Sequence, residues 1–249
     1  MKFQKVLLTG GSGNLGSAII ASQKFPSLIA PSEIEMDITT PGSIQAFLNK
    51  NKIDAVIHCA AIARMVECEK KKELAIKTNI LGTGNLVNAV LREEAAGRDV
   101  RFVHISTDGV YEGTKGNYSE QDPTIPYNFY GWTKLGAEAS VRLLNNHCIV
   151  RTRFFDPRRS RFKTYPTDLY TSKIQIGRFI EALEFLARSD FTGAINVGDE
   201  RMSEYNRHFQ YDEGIGKCTF SDVQKFSPVK MAQDASMDCS KWRALYEEN

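Results

Sequence analysis

The segment KVLLTGGSGNLG at residues 5–16 decides the fold class of this chain. Residues 5–9 predict a short buried strand, and residues 14–25 predict a helix that begins directly after the glycines. The glycines between them follow the pattern G-x-x-G-x-x-G. Because this pattern joins a predicted strand to a predicted helix, it favours dinucleotide binding over a plain flexible turn.

Gly10, Gly13 and Gly16 have three physical tasks to share. One permits the tight turn from strand to helix, one lets a pyrophosphate approach the backbone, and one lets the helix lie close to the sheet. The N-terminus of the helix then offers unpaired N–H groups and the positive end of its dipole to phosphate oxygens.

The alternation of strands and helices continues through the first 150 residues. Further strands are predicted at 27–30, 54–58, 100–105 and 148–152, and further helices at 41–51, 71–96 and 127–146. Thr40 is the predicted N-cap of the helix at 41–51. Such alternation predicts a doubly wound α/β Rossmann fold, with a parallel sheet and helices on both faces.

The sequence pattern changes after Arg151. A basic, irregular stretch is followed by one clear predicted helix at 173–188 and one predicted strand at 194–197. We therefore interpret residues 1–152 as a nucleotide-binding domain that carries the catalytic groups. Residues 153–249 are interpreted as a small, shortened C-terminal lobe that is not independent. Its basic run, Arg158 to Lys163, is either a clamp for a diphosphate or a solvated loop.

Composition excludes several classes of partner. The 249 residues carry 32 basic and 30 acidic side chains, so a net charge of +2 gives no argument for nucleic acid or an anionic membrane. No apolar run is long enough to span a bilayer, and the N-terminus is too short for a signal peptide. We expect a cytoplasmic protein. The five cysteines and four histidines lack metal-ligand spacing, and His58 and His104 are expected to be buried and hydrogen-bonded in strands.

The pentapeptide YGWTK at residues 130–134 places a phenol and an ammonium four residues apart. In a helix both side chains project from one face. A cation beside a phenol lowers the pKa of the phenol toward the working pH, so Tyr130 is a candidate general acid or base. Lys134 can also hold a ribose hydroxyl. The second match, at Tyr111 and Lys115, falls in a glycine-containing turn where the two side chains need not face each other.

Ser106-Thr107-Asp108 ends the predicted fourth strand. Ligands of open parallel sheets bind beyond the carboxyl ends of the strands. Thr107 is therefore either a hydrogen-bond donor to a substrate carbonyl or the cap of a turn.

Several ordered segments together resemble the extended short-chain dehydrogenase/reductase family, and most of all its dTDP-4-dehydrorhamnose reductase branch. They are TGGSGNLG (9–16), MDI (36–38), IDAVIHCAA (53–61), TN (78–79), STDGVYEGTKGNYSEQD (106–122) and PYNFYGWTKLGAE (126–138). The resemblance implies an NAD(P)H-dependent reductase of a 4-keto-6-deoxy sugar nucleotide. Hydride would pass from the nicotinamide to a carbonyl carbon, and Tyr130 would protonate the oxygen.

The resemblance assigns residues to this reaction. It implies that the catalytic set is Thr107, Tyr130 and Lys134. It implies a cofactor site made of Gly10, Ser12, Gly13, Asn14, Leu15, Gly16, Asp37, Ile38, Cys59, Ala60, Ala61, Tyr130 and Lys134. Substrate contacts are expected from Asp108, Arg153, Arg158 and Arg161. NAD and NADP both stay open, because residues 30–32 offer neither an acid for a ribose nor an arginine for a 2′-phosphate. A homodimer is also open.

The chain departs from the family pattern in two places. Thr107-Asp108-Gly109 lacks the second carboxyl group that related dehydratases use for elimination, so dehydration is disfavoured. The C-terminal lobe is shortened, and Arg153-Phe154 stands where the reductases tend to have a small polar residue and a tryptophan. Two alternatives follow: a nucleotide-sugar epimerase that retains NAD, and a cofactor-binding regulatory subunit without turnover.

Overall fold

A six-stranded parallel sheet forms the centre of the fold. The computed structural model describes residues 5–159 and 162–247. Its strands are β1 (Val6–Thr9), β2 (Leu28–Ile29), β3 (Ala55–His58), β4 (Arg101–Thr107), β5 (His147–Thr152), β6 (Phe154–Phe155), β7 (Thr164–Pro166), β8 (Tyr170–Thr171), β9 (Ile174–Gln175), β10 (Gly193–Val197), β11 (Met202–Ser203) and β12 (Gly216–Cys218). The main sheet has the order β10-β5-β4-β3-β1-β2, and the other strands form three two-stranded pairs.

Helices cover both faces of the sheet. They are α1 (Asn14–Ser22), α2 (Pro41–Lys50), α3 (Met65–Lys70), α4 (Lys72–Ala75), α5 (Thr83–Ala95), α6 (Phe129–Val141), α7 (Ile176–Arg188), α8 (Glu204–Phe209), α9 (Phe220–Phe226) and α10 (Ser240–Glu247). Helices α1 and α7 pack on one face, and α2, α5 and α6 pack on the other. The predicted doubly wound fold is therefore confirmed. None of the helices in the described part of the chain is long and apolar enough to cross a bilayer.

The order of the strands positions a ligand site. Strand β1 lies between β2 and β3, so the chain passes from β1 to β2 on one side and then crosses back over β1 to reach β3 on the other. In open parallel sheets the crevice beyond the carboxyl ends of such strands is where ligands bind. The glycine turn of residues 10–13 and the segment after β3 both lie at this edge.

The helix predicted at 71–96 is confirmed as an unbroken helical stretch from Lys72 to Ala95, but it is not α-helical throughout. It consists of α4, a π-helical segment (Ile76–Gly82) and α5. Where this segment meets α5, the Thr83 hydroxyl donates to the Asn79 carbonyl at 2.7 Å. Apolar periodicity could not detect the change, because a π-helical turn shifts the register without changing the composition.

Two predicted helix ends also differ. The helix predicted at 127–146 is only Phe129–Val141, because Asn128 caps it by accepting a hydrogen bond from the Gly131 amide. Thr40 precedes α2 as predicted, but its side chain makes no cap. Its hydroxyl donates instead to Asp37, at 2.9 Å.

His58 links the sheet to α5 through a continuous chain of hydrogen bonds. Its Nδ1 lies 2.7 Å from the Thr9 hydroxyl, and its Nε2 lies 2.8 Å from the Thr83 hydroxyl. Thr83 already donates to the Asn79 carbonyl, so His58 must donate from Nε2 and accept at Nδ1. A neutral imidazole satisfies every group. Burial, helped by the charge of Lys134, accordingly lowers the pKa of His58 to about 3.

His104 lies beside His58, with the two rings 5.2 Å apart, and is fully buried. The expectation that it is hydrogen-bonded is wrong. Neither of its ring nitrogens has a partner among residues 5–159 and 162–247. Burial, together with the charge of Lys134, holds its pKa well below the ordinary value. His104 therefore stays neutral in the folded protein.

We predict that His104→Leu reduces the pH dependence of stability. An unfolded histidine binds a proton as the pH falls below about 6.5, whereas folded His104 does not. The wild type should therefore lose about 1.4 kcal/mol per pH unit more than the variant below that pH. Urea unfolding of both proteins at pH 8, 6 and 5 measures this. Equal slopes below pH 6.5 would contradict the assignment.

Candidate active site

The glycine turn brings helix α1 against the end of β1 by backbone contact. A Cβ atom added to Gly16 would lie 2.2 Å from the Gly10 carbonyl oxygen, which no side chain can tolerate. Gly10 itself has φ +74°, a conformation that favours glycine. Gly13 is the N-cap of α1 and provides no capping side chain, while Ser12 and Asn14 are exposed. No side chain caps the first turn of α1, so its N–H groups can donate hydrogen bonds to phosphate oxygens.

The segment after β3 closes the other side of this turn. A Cβ atom on Gly10 would lie 2.7 Å from the Ala60 nitrogen, so Cys59 and Ala60 are held directly against the turn. Asn79 holds the continuation of this segment by bonding both the N–H and the carbonyl of Ile62, at 2.8 and 3.1 Å. Asn79 is a structural residue that sequence reasoning missed. Its signal was a lone asparagine among the apolar residues of a predicted helix.

Thr107 and Tyr130 meet at the carboxyl end of β4. Their hydroxyls are hydrogen-bonded. The Thr107 hydroxyl also donates to Asp108 at 3.1 Å and accepts from the Gly109 amide at 3.1 Å. Since the single Thr107 proton goes to Asp108, Tyr130 donates the bond between the two hydroxyls. Thr107 therefore caps the turn that follows β4, whereas its role as a donor to a substrate carbonyl stays a prediction.

Gly131 allows this contact. A Cβ atom at Gly131 would lie 2.2 Å from the Gly109 carbonyl oxygen, so only glycine lets the first turn of α6 approach the turn after β4. Asn128 fixes the start of the helix at the same point, through its bond to the Gly131 amide. The sequence pattern Y-G-x-x-K contains Gly131, but only its distance from the Gly109 carbonyl oxygen shows why glycine is required there.

Lys134 lies one turn further along α6 and is 3% exposed. It makes no hydrogen bond or ion pair within the described chain. Burial lowers the pKa of Lys134 to about 8, although the nearby Glu138, Cys59 and Cys68 act in the opposite direction. A buried ammonium without a partner is ready to bind a polar ligand that enters at this edge of the sheet.

Glu138 ties α6 to the sheet. Its carboxylate accepts from the Ser106 hydroxyl at 2.6 Å and from the Arg151 guanidinium at 3.1 and 2.7 Å. Arg151 in turn donates to the Tyr111 hydroxyl at 2.9 Å, and Tyr111 donates to Asn196 at 2.8 Å. The tyrosine of the second Y-x-x-x-K match is thus a buried structural group. The network fixes α6, and with it Tyr130 and Lys134, in rotation and height over β4 and β5.

The expected direction of the Tyr130 pKa is wrong for this arrangement. Burial raises the pKa of the phenol, and the charges of Asp108 and Cys68 raise it further. The neighbouring Thr107 side chain and the charge of Arg153 lower the pKa of Tyr130 without reversing the direction. Tyr130 is therefore protonated at neutral pH and can donate a proton, but it is not a resting phenolate.

A family comparison agrees with this geometry. The model of the family described as RmlD substrate binding domain matches residues 4–165. The chain belongs to this family. Among curated relatives, the dTDP-4-keto-6-deoxy-D-glucose reductase of Streptomyces niveus is 34% identical over 151 residues, which is 59% of this chain and 51% of that one. The chain spans about half the length of the curated relatives that it matches.

Solved structures of the same kind share the fold over nearly the whole chain. A hypothetical dTDP-4-dehydrorhamnose reductase from Sulfolobus tokodaii has a TM-score of 0.83 at 28% identity and covers 96% of this chain and 94% of its own. A dTDP-4-dehydrorhamnose reductase from Bacillus anthracis, in complex with NADP, has a TM-score of 0.85 at 22% identity. That match covers 98% of this chain and 93% of its own.

Asp37 and Ile38 occupy different environments in this RmlD-family chain. The Asp37 carboxylate accepts bonds from the Thr39 amide and from the hydroxyls of Thr39 and Thr40, at 2.8 to 3.0 Å. It therefore closes its own turn. Ile38 is buried against Gly82, where an added Cβ would lie 2.9 Å from its terminal carbon. Ile38 thus supports the π-helical segment.

The expected substrate residues divide into two places. Arg153 pairs with the buried Asp108, its Nε 3.0 and 2.8 Å from the two carboxylate oxygens, and also donates to the Tyr127 hydroxyl at 3.2 Å. This pair therefore adjoins Thr107. Arg158 is 85% exposed and pairs with Asp156, away from the catalytic set. Arg161 lies outside the described residues.

A cavity of about 990 Å³ opens beside this pair. It lies between α1 and the elements that follow residue 152, and its wall includes Asn14 of the glycine turn, Arg153 and Arg158. Thr107, Tyr130 and Lys134 are not part of the wall. Arg153 links the cavity to the catalytic set, because its partner Asp108 accepts a hydrogen bond from the Thr107 hydroxyl.

We predict opposite effects of alanine at two helical glycines. Gly131→Ala should destabilise the protein by about 1 to 3 kcal/mol, because the new methyl group meets the Gly109 carbonyl. Gly84→Ala in α5 meets nothing within 4 Å and should stabilise it by about 0.5 to 1 kcal/mol. Urea unfolding of the two variants measures both changes. A neutral Gly131→Ala would mean that α6 does not approach the turn after β4 as described.

Proposed function

We propose that this chain is an NAD(P)H-dependent reductase of a keto-sugar nucleotide. The observation that carries the proposal is the hydrogen bond between Tyr130 and Thr107, with Lys134 buried and unpaired one helical turn away. This set lies at the carboxyl edge of a doubly wound sheet, and the glycine turn lies at the same edge. The names of the reductases to which the chain is similar support the substrate class.

The cofactor fits the residues present. The uncapped N-terminus of α1 and the exposed backbone at Gly13 suit a pyrophosphate. Gly10, Ser12, Asn14, Leu15 and Gly16 would complete this cradle, Asp37 and Ile38 would flank the adenine, and Cys59, Ala60 and Ala61 would lie along the ribose. Lys134 would hold a ribose hydroxyl. The Bacillus anthracis neighbour is in complex with NADP, which supports a nicotinamide dinucleotide as the cofactor of this site.

The chain's own residues supply the proton and its control. A bound nicotinamide cofactor supplies the hydride. Tyr130, protonated because burial raises its pKa, turns its O–H from Thr107 to the carbonyl oxygen of the substrate. Thr107 turns its single proton from Asp108 to the same oxygen and donates a second hydrogen bond as negative charge develops there. The positive charge of Lys134 stabilises the phenolate that Tyr130 becomes.

Residues after 152 would hold the sugar nucleotide. We propose that β6 to β9, β11, β12, α8 and α9 form this lobe, whereas α7 and β10 complete the central sheet. The cavity between α1 and this lobe is large enough for a ligand, since small-molecule sites measure about 300 to 1,000 Å³.

The test is cofactor oxidation with a dTDP-4-keto-6-deoxy sugar. We predict that Tyr130→Phe lowers turnover by about 10² to 10⁴-fold, because the proton donor is lost, and leaves NADPH binding within about twofold. Tyr246→Phe on α10 makes the same chemical change outside the catalytic set and the substrate lobe and should retain full turnover. Oxidation of NADH and NADPH by the wild type also settles the cofactor preference.

Other results would overturn the proposal in distinct ways. Conversion of a sugar nucleotide without net oxidation of NAD(P)H would indicate an epimerase. Cofactor binding without any turnover would indicate a regulatory protein. Full activity of Tyr130→Phe would remove Tyr130 from the mechanism.

We predict that kcat/KM for reduction falls as the pH rises through about 8. The pKa of Lys134 is lowered to about 8, so its stabilising charge is present below that pH and is lost above it. Tyr130 does not cause the fall, because its own pKa is raised above the ordinary value of 10.0. A pH profile from 6 to 9.5 measures the effect. A flat profile across this range would contradict the role of the Lys134 charge.

A further inference from the structure

The inner end of the cavity holds a cluster of buried charges. Lys173 forms an ion pair with Glu204, and Arg153 interacts electrostatically with both of them as well as with Asp108. Arg207 lies behind them and donates to the carbonyls of Lys173 and Thr171 at 2.7 and 2.8 Å. The cluster thus contains three cations and two carboxylates, an excess of one positive charge.

Neighbouring groups do not cancel this excess. His208 is neutral, because burial and the charge of Lys173 lower its pKa, with Glu204 acting in the opposite direction. Asp199 also acts on Arg207, but it forms its own ion pair with Arg178 at 2.7 Å. An uncompensated buried charge is unfavourable, so this end of the cavity is prepared for an anion.

Arg153 offers the anion a free donor. Its Nε is used by Asp108 and one of its terminal nitrogens by Tyr127, while the other, Nη1, has no partner among the described residues. The side chain is 27% exposed and lines the cavity. The lysine ammonium of the Lys173–Glu204 pair lines the same end. A guanidinium edge and an ammonium together suit a carboxylate.

The position of Arg153 decides which part of a substrate carries the anion. Arg153 bonds Asp108, and Asp108 bonds the Thr107 hydroxyl, so the free donor lies close to the reacting carbonyl. The remaining walls combine aliphatic and aromatic side chains. Tyr165 stacks on His208 with ring centres 3.9 Å apart, and Phe162 and Phe226 are 68% and 84% exposed. Aromatic side chains suit contacts with a sugar ring or a base. The charged end of the cavity, at Arg153, is then left for a substituent next to the reacting carbonyl.

We propose that the sugar of the substrate carries a carboxylate, which Arg153 binds. The preferred substrate class is then a nucleoside-diphosphate sugar acid, and the 6-deoxy sugar is a weaker substrate of the same site. This inference rests on the proposed function, because it places the sugar by the catalytic set. The buried Asp108 carboxylate binds one edge of the Arg153 guanidinium. The other edge is then presented to the ligand. A methyl group at the same place would leave the positive charge uncompensated.

The test compares two ligands that differ at one carbon. UDP-glucuronate and UDP-glucose share the base, the diphosphate and the ring, and differ by a carboxylate against a hydroxymethyl group. The dTDP sugars provide the same comparison for the other nucleotide. Calorimetric titration of the full chain in the presence of NADP should give at least tenfold tighter binding of the glucuronate in one nucleotide series. This comparison needs no variant that could fail to fold.

Variants then assign the preference to Arg153. Arg153→Gln should abolish the preference for glucuronate, and Arg153→Lys should retain part of the preference. Arg188→Gln removes the same charge at the end of α7, away from the cavity, and should retain the full preference. Loss of affinity for both ligands in Arg153→Gln, with no change in their ratio, would mean that Arg153 binds the diphosphate and would overturn the inference.

The remaining outcomes separate this inference from the proposed function. Equal or tighter binding of the glucose compounds in the wild type would overturn the inference alone, since a sugar nucleotide still binds. If NADP binds and none of the four sugar nucleotides does, the proposed function fails and the inference fails with it.

Discussion

The buried ion pair between Glu138 and Arg151 is the interaction on which the rest of the site depends. It joins α6 to β5, and the Ser106 hydroxyl extends it to β4. Removing two charges from water is expensive, and the bidentate geometry with two hydroxyl partners offsets that penalty. The hydrogen bonds fix one rotation and one height of α6. An apolar interface of the same area would not fix the position of α6 along its axis, and Tyr130 would then lose its contact with Thr107.

Close backbone contacts set the other distances. Gly16 seats α1 on the glycine turn, and Gly131 seats the first turn of α6 on the turn after β4. In each case an added Cβ would lie 2.2 Å from a carbonyl oxygen. Because these two glycines have no side chain, the uncapped N-terminus of α1 and the hydroxyls of Thr107 and Tyr130 can lie at the same edge of the sheet. This precision explains why one methyl group at Gly131 is expected to disturb both stability and geometry.

Low dielectric surroundings then determine the protonation states. His58 and His104 stay neutral, and Tyr130 stays protonated. Lys134 is the one group of this set whose pKa falls near the physiological range. Such a site starts with its proton on the phenol and a cation nearby, which is the arrangement that reduction of a carbonyl requires. The raised pKa of Tyr130 therefore fits a proton donor better than the lowered pKa expected from the Y-x-x-x-K spacing.

The sequence by itself determined the alternation of strands and helices along residues 5–152 and the glycine turn, because apolar periodicity and glycine spacing are local properties of the chain. It assigned the strand at 194–197 to the C-terminal lobe, whereas β10 completes the central sheet. It also predicted Thr107, Tyr130 and Lys134, through a resemblance spread over several segments. Tertiary structure decided the rest. The π-helical segment, the unpartnered His104, the raised pKa of Tyr130 and the pairing of Arg153 with Asp108 all arise from contacts between distant residues and from burial. No local pattern encodes either of these, since both depend on what the folded chain places nearby.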